Sequence, residues 1–376
     1  MINLAKHWVN SCEVTVRTLW IHHHLTLLRL AIVLMGMIAV FKLSYEFDRL
    51  IREPGVLGAI DLLQRYNEVQ VWFAQKPVYG ELATAVYPPA SYVMLWPFLG
   101  YTSSSIARWI WAVTTIVALV GLVHLTINES CAKGRLERPL ATLIPLAMYG
   151  TGETIGNGQL TIFVLVAVVV GLRLLNSGRK WGHLWLGSAL VVFSLVKPTI
   201  TLPFLWLVLV APGGRKSLLW IGLGYTLLAF VGGIFQDGNI ISLHQEWLNS
   251  GIEGAVWGSG GVDSGEDTRE TAPNFGVGYG NLHSWLAALG LSQWNLPVTL
   301  FVLLLFGGWT YLHRSVNLWL LLGVAAIVSR LWTYHLVYDD MVMLLPMITL
   351  FRLTKGMIRG HSGQQMLWSG IVLAIA

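Results

Sequence analysis

The chain has 376 residues, 55% of them hydrophobic and only 11% charged, with a mean hydropathy of +0.62, where an average soluble domain carries about 25% charged residues. That composition excludes a detachable soluble domain of ordinary size, and the net charge of +5 is no nucleic-acid signal, because Lys and Arg sit in short clusters between apolar segments, as in membrane proteins. The only cysteines, Cys12 and Cys131, fall in segments assigned to the cytoplasmic side, which argues against a disulfide framework and a Cys-ligated metal.

Residues 1–24 carry Lys6, Arg17 and His22-His23-His24 and lack the short apolar core and cleavage site of a signal peptide. They read as a cytoplasmic lead-in, since three adjacent histidines cannot all face one ion on a helix. Leu25 to Tyr45 is the first span, because at about 1.5 Å per residue it covers the roughly 30 Å of hydrocarbon. Further apolar segments lie near 86–100, 104–127, 139–151, 159–176, 183–197, 199–211, 217–235, 293–312, 316–330 and 341–353. Together they predict an all-α polytopic transmembrane bundle of about 10–12 spans, forming one domain over 25–365. The apolar stretch 366–376 reads as the start of another helix.

The clusters Lys133/Arg135/Arg138, Arg173/Arg179/Lys180, Arg215/Lys216, His313/Arg314 and Arg352/Lys355/Arg359 read as cytoplasmic. The loops 46–85, 152–158, 197–198, 236–290 and 330–340 then share the extracytoplasmic face. A full crossing by 86–100 would put the cluster at 133–138 on the wrong side. Either the Tyr87-Pro88-Pro89 helix dips into the membrane without crossing, or the charge rule fails at one loop.

Nearly all the reactive residue types collect in those loops: Asp48, Asp61, Glu68 and Glu81; Glu153, Asn157 and Gln159; Lys197; Asp237, His244 and Glu246; and Arg330, His335, Tyr338, Asp339 and Asp340. A transporter would place such groups mid-span, facing a pathway. The stretch 61–98, with Tyr66, Tyr79, Tyr87 and Trp96 around Asp61, is too polar for hydrocarbon and too aromatic for a simple loop. A carboxylate such as Asp61 can act as general base on a sugar hydroxyl, although composition alone equally describes a solvated loop acid. Lys197 before Pro198 reads either as a snorkelling cation or as a counter-charge for a phosphate. Arg330 with His335 suits a phosphate leaving group, and also suits pairing to Asp339 or Asp340. The glycine-rich acidic tract 251–280 lacks the spaced carboxylates of a calcium loop and the Gly-Lys-Ser/Thr of a phosphate loop, and reads as a surface loop.

Taken in order, Asp61 to Tyr66, Pro77-Val78-Tyr79, Tyr87-Pro88-Pro89, Pro97, Gly158-Gln159, Lys197-Pro198, Asn281 to Leu286, Tyr338-Asp339 and Leu344-Leu345-Pro346 resemble the motifs of glycosyltransferase family 87 over about residues 25–353. The resemblance implies a GT-C type bundle that moves a hexose, commonly mannose, from a polyprenyl phosphate to a lipid or glycan acceptor, with inversion. It implies Asp61 as base and Lys197, Arg330 and His335 as partners of the lipid phosphate, with Tyr66, Tyr87, Gln159 and Tyr338 lining the substrate site. The interval from Asp61 to Tyr66 is about one residue longer than the family's, which keeps Asp48 as second candidate base. No cofactor or resident metal is expected; if a divalent ion is used, Asp339 and Asp340 are the ligands to consider. The expected setting is a bacterial inner membrane with the active face outside. The competing readings are a lipid-linked-sugar flippase, whose signature would be paired broken helices in two related halves and for which the sequence shows no internal repeat, and a non-catalytic polysaccharide-assembly protein.

Overall fold

The computed structural model describes residues 2–52, 58–82, 84–178, 181–236, 239–258, 280–333 and 335–356, and these contain helices and no strand. Asp237, Arg179, Lys180, Arg359, tract residues 259–279 and the stretch 366–376 lie outside the described residues, as do the side chains of Lys6, Cys12, Arg17 and His24. The expected all-α polytopic bundle is the architecture observed.

The first helix, α1 (Ile2–Ile51), is continuous across both positions where the sequence suggested a boundary, 24 and 45. It can continue past 45 because Glu46 pairs with Lys42 at 3.3 Å and with Arg49 at 2.6 Å, one turn away on either side. After it come α2 (Ile60–Phe73), α3 (Pro89–Leu99) and α4 (Ser104–Glu129). Proline opens α3, where its missing N–H costs nothing, and Pro97 and Gly100 stop it after about 16 Å, half the hydrocarbon thickness. Both ends of α3 are held at one end of the bundle. Ser91 Oγ donates to the Val196 carbonyl at 2.9 Å, and the Leu99 carbonyl accepts from Gln70 of α2 at 2.7 Å. The helix α3 thus stays near that end, and α4 runs from it to the other end of the bundle, where Glu129 lies.

The chain continues through α5 (Glu137–Ala147), α6 (Tyr149–Asn157), α7 (Thr161–Asn176), α8 (Trp181–Ser194), α9 (Pro198–Val210), α10 (Gly214–Ile234), α11 (Ile240–Gly258), α12 (Leu282–Ala288), α13 (Asn295–Leu312), α14 (Leu318–Leu331), a 3-10 turn Val337–Met343 and α15 (Leu344–Thr354). Helices α5 and α6 together run parallel to α1: Leu143 packs on Gly36, and further along Lys42 and Glu46 lie against Gly152 and Gly156. A Cβ at Gly156 would sit 1.9 Å from Glu46 Oε2, so any larger residue there would displace the Glu46 carboxylate and its ion pairs. A bend of 115° then reverses the chain into α7, through Gly158 at φ +69°. Thr161 and Arg173, about 18 Å apart along α7, mark the two ends: the first touches Asp339, the second pairs with Glu129. Helices α1, α4, α5–α6, α7, α8, α9, α10, α13, α14 and α15 run alternately between these ends.

Among the described residues, four helical stretches are long and apolar enough to cross a membrane outright, Leu25–Ile51, Ser104–Glu129, Gly214–Ile234 and Ser292–Leu312. Trp181–Ser194, Pro198–Val210 and Leu318–Leu331 are shorter apolar helices and require tilt or local thinning to match a bilayer.

Candidate functional site

The site is built from the start of α2. The Ala59 N–H donates to the Gly156 carbonyl at 2.8 Å, which fixes the first turn of α2 against the end of α6. Asp61 lies in that turn, where the helix N-terminus favours a carboxylate, and the side chain of Gln159 hydrogen-bonds to it. Gln159 in turn accepts from Lys197 Nζ at 3.3 Å. The same ammonium donates to Asp339 Oδ1 at 2.6 Å and to Thr161 Oγ1 at 3.4 Å, so its three protons are all engaged. Asp339 also accepts from Thr161 Oγ1 at 2.6 Å and from His335 Nδ1 at 2.8 Å. A continuous polar chain thus runs Asp61, Gln159, Lys197, Asp339, His335, across four separate parts of the sequence. Tyr338 lies under the Lys197 ammonium, its ring centroid 4.7 Å away.

The two aspartates are driven in opposite directions. Burial pushes the Asp61 carboxyl above the ordinary range, and the Gln159 hydrogen bond and the charges of Arg65 and Lys197 only partly offset it. Burial also acts on Asp339, but there Lys197 and His335 prevail and hold the carboxyl well below its usual range. Two titratable groups separated in this way are the pattern of a site in which one acid exchanges protons and the other holds a fixed charge.

Arg65 flanks Asp61 one turn along α2. It pairs with Glu68 at 2.8 Å, donates to the Thr84 carbonyl at 2.8 Å and stacks on Tyr87, its guanidinium carbon 4.4 Å from the ring centroid. On the far side of His335, Arg330 pairs with Asp340. Several buried nitrogens here lack a hydrogen-bond partner: Arg65 Nε and Nη1, Arg330 Nη1, His335 Nε2 and His283 Nδ1. Unsatisfied buried donors and acceptors are costly, and here they gather beside the polar chain.

Of the residues expected from sequence, Asp61, Tyr87, Gln159, Lys197, His335 and Tyr338 meet in this region, and Arg330 borders it through Asp340. Two do not join it. Tyr66 donates instead to the Thr102 carbonyl at 2.8 Å, bracing α2 against the turn before α4. Asp48 is exposed and pairs with Arg52 at 3.3 Å. Asp339 and Asp340, considered as metal ligands, are each bound to cationic side chains, and among the described residues no group of three or more His, Cys, Asp or Glu is arranged to hold an ion. Sequence reasoning passed over Arg65 and Thr161. The spacing Asp61, Arg65, Glu68 puts all three on one helix face and was a usable signal; nothing local marked Thr161.

The alternating helical bundle, with its polar site gathered at one end, defines the class as a multi-pass, all-α membrane protein. Over residues 85–263 the chain is similar to glycosyltransferase family 87, a family of membrane glycosyltransferases, whose model matches that segment. That segment contains Tyr87, Gln159, Thr161 and Lys197; Asp61, His335 and Asp339 lie outside it. No curated protein and no solved structure matches the chain.

Proposed function

We propose that the protein transfers a hexose, mannose in the first instance, from a polyprenyl phosphate to a lipid or glycan acceptor at the outer face of a bacterial inner membrane. The observation that carries this reading is the raised, half-buried Asp61 linked through Gln159 to the ion-paired Lys197 and Asp339. Asp61 takes the acceptor hydroxyl proton as that oxygen bonds to the anomeric carbon. The bond from the anomeric carbon to the phosphate oxygen breaks on the opposite face, its electron pair leaves with the polyprenyl phosphate, and the configuration inverts. Phosphate is a competent leaving group, so a divalent metal is optional to the step.

Lys197 is here a positioning residue, because its protons are engaged by Asp339, Gln159 and Thr161. The departing charge falls to Arg330 Nη1 and, once protonated, to His335 Nε2, both buried and without partners. Donors fixed beforehand in a low-dielectric site stabilise developing charge strongly. The outward placement of this end is supported by Lys133, Arg138, Arg215, Arg314, Arg352 and Lys355, which all lie toward the other end.

The test is Asp61→Asn assayed in proteoliposomes with a synthetic polyprenyl-phosphate mannose. The expected outcome is a fall in kcat of about 10²–10⁴-fold with thermal unfolding little changed. Transfer at the wild-type rate would remove Asp61 from the chemistry.

A further inference from the structure

His283 stands outside the chemistry described so far. It is 7% exposed, opens α12 two residues after the helix-capping Asn281, and borders His335, whose carbonyl accepts from Asn281 Nδ2 at 3.3 Å. Its Nε2 lies 2.7 Å from Thr299 Oγ1. The single Thr299 hydroxyl proton is donated to the Trp332 carbonyl at 3.0 Å, so Thr299 can only accept from the ring, and the ring proton sits on Nε2. In a neutral imidazole Nδ1 is then a bare lone pair, and this Nδ1 is buried with no partner. Burial and the neighbouring His335 push the His283 pKa down to about 4, so the ring is neutral at physiological pH.

A buried lone pair fixed in this way repels a phosphate oxygen and seeks a proton donor. Beside His335 and Arg330, the donors a glycosyl phosphate brings are the hydroxyls of its sugar. We infer that His283 Nδ1 accepts a hydrogen bond from a hydroxyl of the donor hexose and is a specificity-determining residue for that sugar. The inference rests on the proposed transfer from a polyprenyl-phosphate hexose. His335 differs in its partner: its Nδ1 proton is held by the Asp339 carboxylate, and its buried Nε2 is the atom assigned to the phosphate in the proposed transfer.

The experiment measures kcat/KM for the full chain in proteoliposomes with polyprenyl-phosphate mannose and the set of its single-deoxy analogues. The wild type is expected to reject one analogue by about tenfold or more, because loss of that hydroxyl leaves the acceptor unpaired. His283→Leu should lose a similar factor on the parent sugar and little on that analogue, so selectivity at that one hydroxyl collapses. His283→Asn, which places an amide oxygen close to where Nδ1 sits, should retain most of it. Thr299→Val keeps His283 but frees its tautomer, and should weaken selectivity at the same hydroxyl even where the leucine variant folds poorly. Equal discrimination by wild type and variants at every position would overturn the inference while leaving the transfer reading intact. Failure of the wild type to use any polyprenyl-phosphate hexose would instead overturn the transfer reading.

Discussion

The two ends of the bundle each centre on a carboxylate that gathers cations from distant helices, yet they are built to different purposes. At one end Glu129 accepts from Trp319 Nε1 at 2.7 Å, pairs with Arg173, and lies 3.7 Å from Arg352, whose guanidinium also donates to the Glu129 carbonyl at 2.6 Å. The ends of α4, α7 and α15 and the start of α14 are tied there, with Arg173 reaching into solvent. At the other end Asp339 is enclosed, its side chain 3% exposed, and a second acid, Asp61, stands beside it with a hydrogen bond from Gln159 in place of an ion pair. A clamp needs one carboxylate fully matched by cations. A reacting site needs a second one left incompletely matched, and that mismatch separates the two ends more clearly than their charge does.

The sharpest way to break the comparison is Lys197→Met, which strands Asp339 in the interior. Loss of one partner of a buried pair costs about 3–5 kcal/mol, so unfolding in detergent should shift strongly to lower temperature. Because Lys197 also holds Gln159 against Asp61, residual folded protein should transfer sugar slowly. A melting curve like that of the wild type would show that the pair does not hold the site together.

Acid titration sharpens the contrast between the two aspartates. The Asp61 pKa is raised, so its base form is lost, as pH falls, at a value above the ordinary aspartate pKa of about 3.9. The acid limb of kcat/KM should therefore lie above that value. Asp339 is depressed, so its stabilising contribution is present above the unfolded aspartate pKa and disappears only in stronger acid, as pH falls toward the folded pKa. Loss of rate should precede loss of fold on acidification, and coincident curves would contradict the division of roles.

A smaller effect is expected at the opposite end. Glu129→Gln should destabilise the bundle by about 1–3 kcal/mol through weakened charge-assisted hydrogen bonds, while turnover per folded molecule stays at the wild-type level. A selective loss of turnover would mean that this end, too, takes part in the reaction. Asp48→Asn should be the mildest, within about 0.5 kcal/mol for stability and with unchanged turnover, because Asp48 is exposed and meets only Arg52. A large rate loss there would reinstate it as a base.

Much of this was legible in the chain, though unevenly. The apolar segments gave the helices because hydrocarbon length and helical rise are fixed numbers, and Tyr87-Pro88-Pro89 with Pro97 marked out a helix shorter than the hydrocarbon thickness. Asp61, Gln159, Lys197 and His335 could be singled out because polar and ionisable types are scarce in such a sequence. Tyr66 and Asp48, which do not join the polar chain, were as well placed along the sequence as Asp61, and chain position says nothing about which side of a helix finds a partner. Lys197 shows the same limit, since its residue type suggests a phosphate ligand and its surroundings occupy every proton it has.

Residue types and spacing alone established a helical membrane protein with its reactive groups at one end, because burial in lipid and the orientation of basic loops act on short local stretches. Only the tertiary structure decided which carboxylate is neutralised and which is left raised, which histidine nitrogen carries a proton, and that α1 and α6 touch through Gly156. Those outcomes depend on atoms that lie far apart in sequence and within hydrogen-bonding distance in space, and no local pattern encodes a distance between helices.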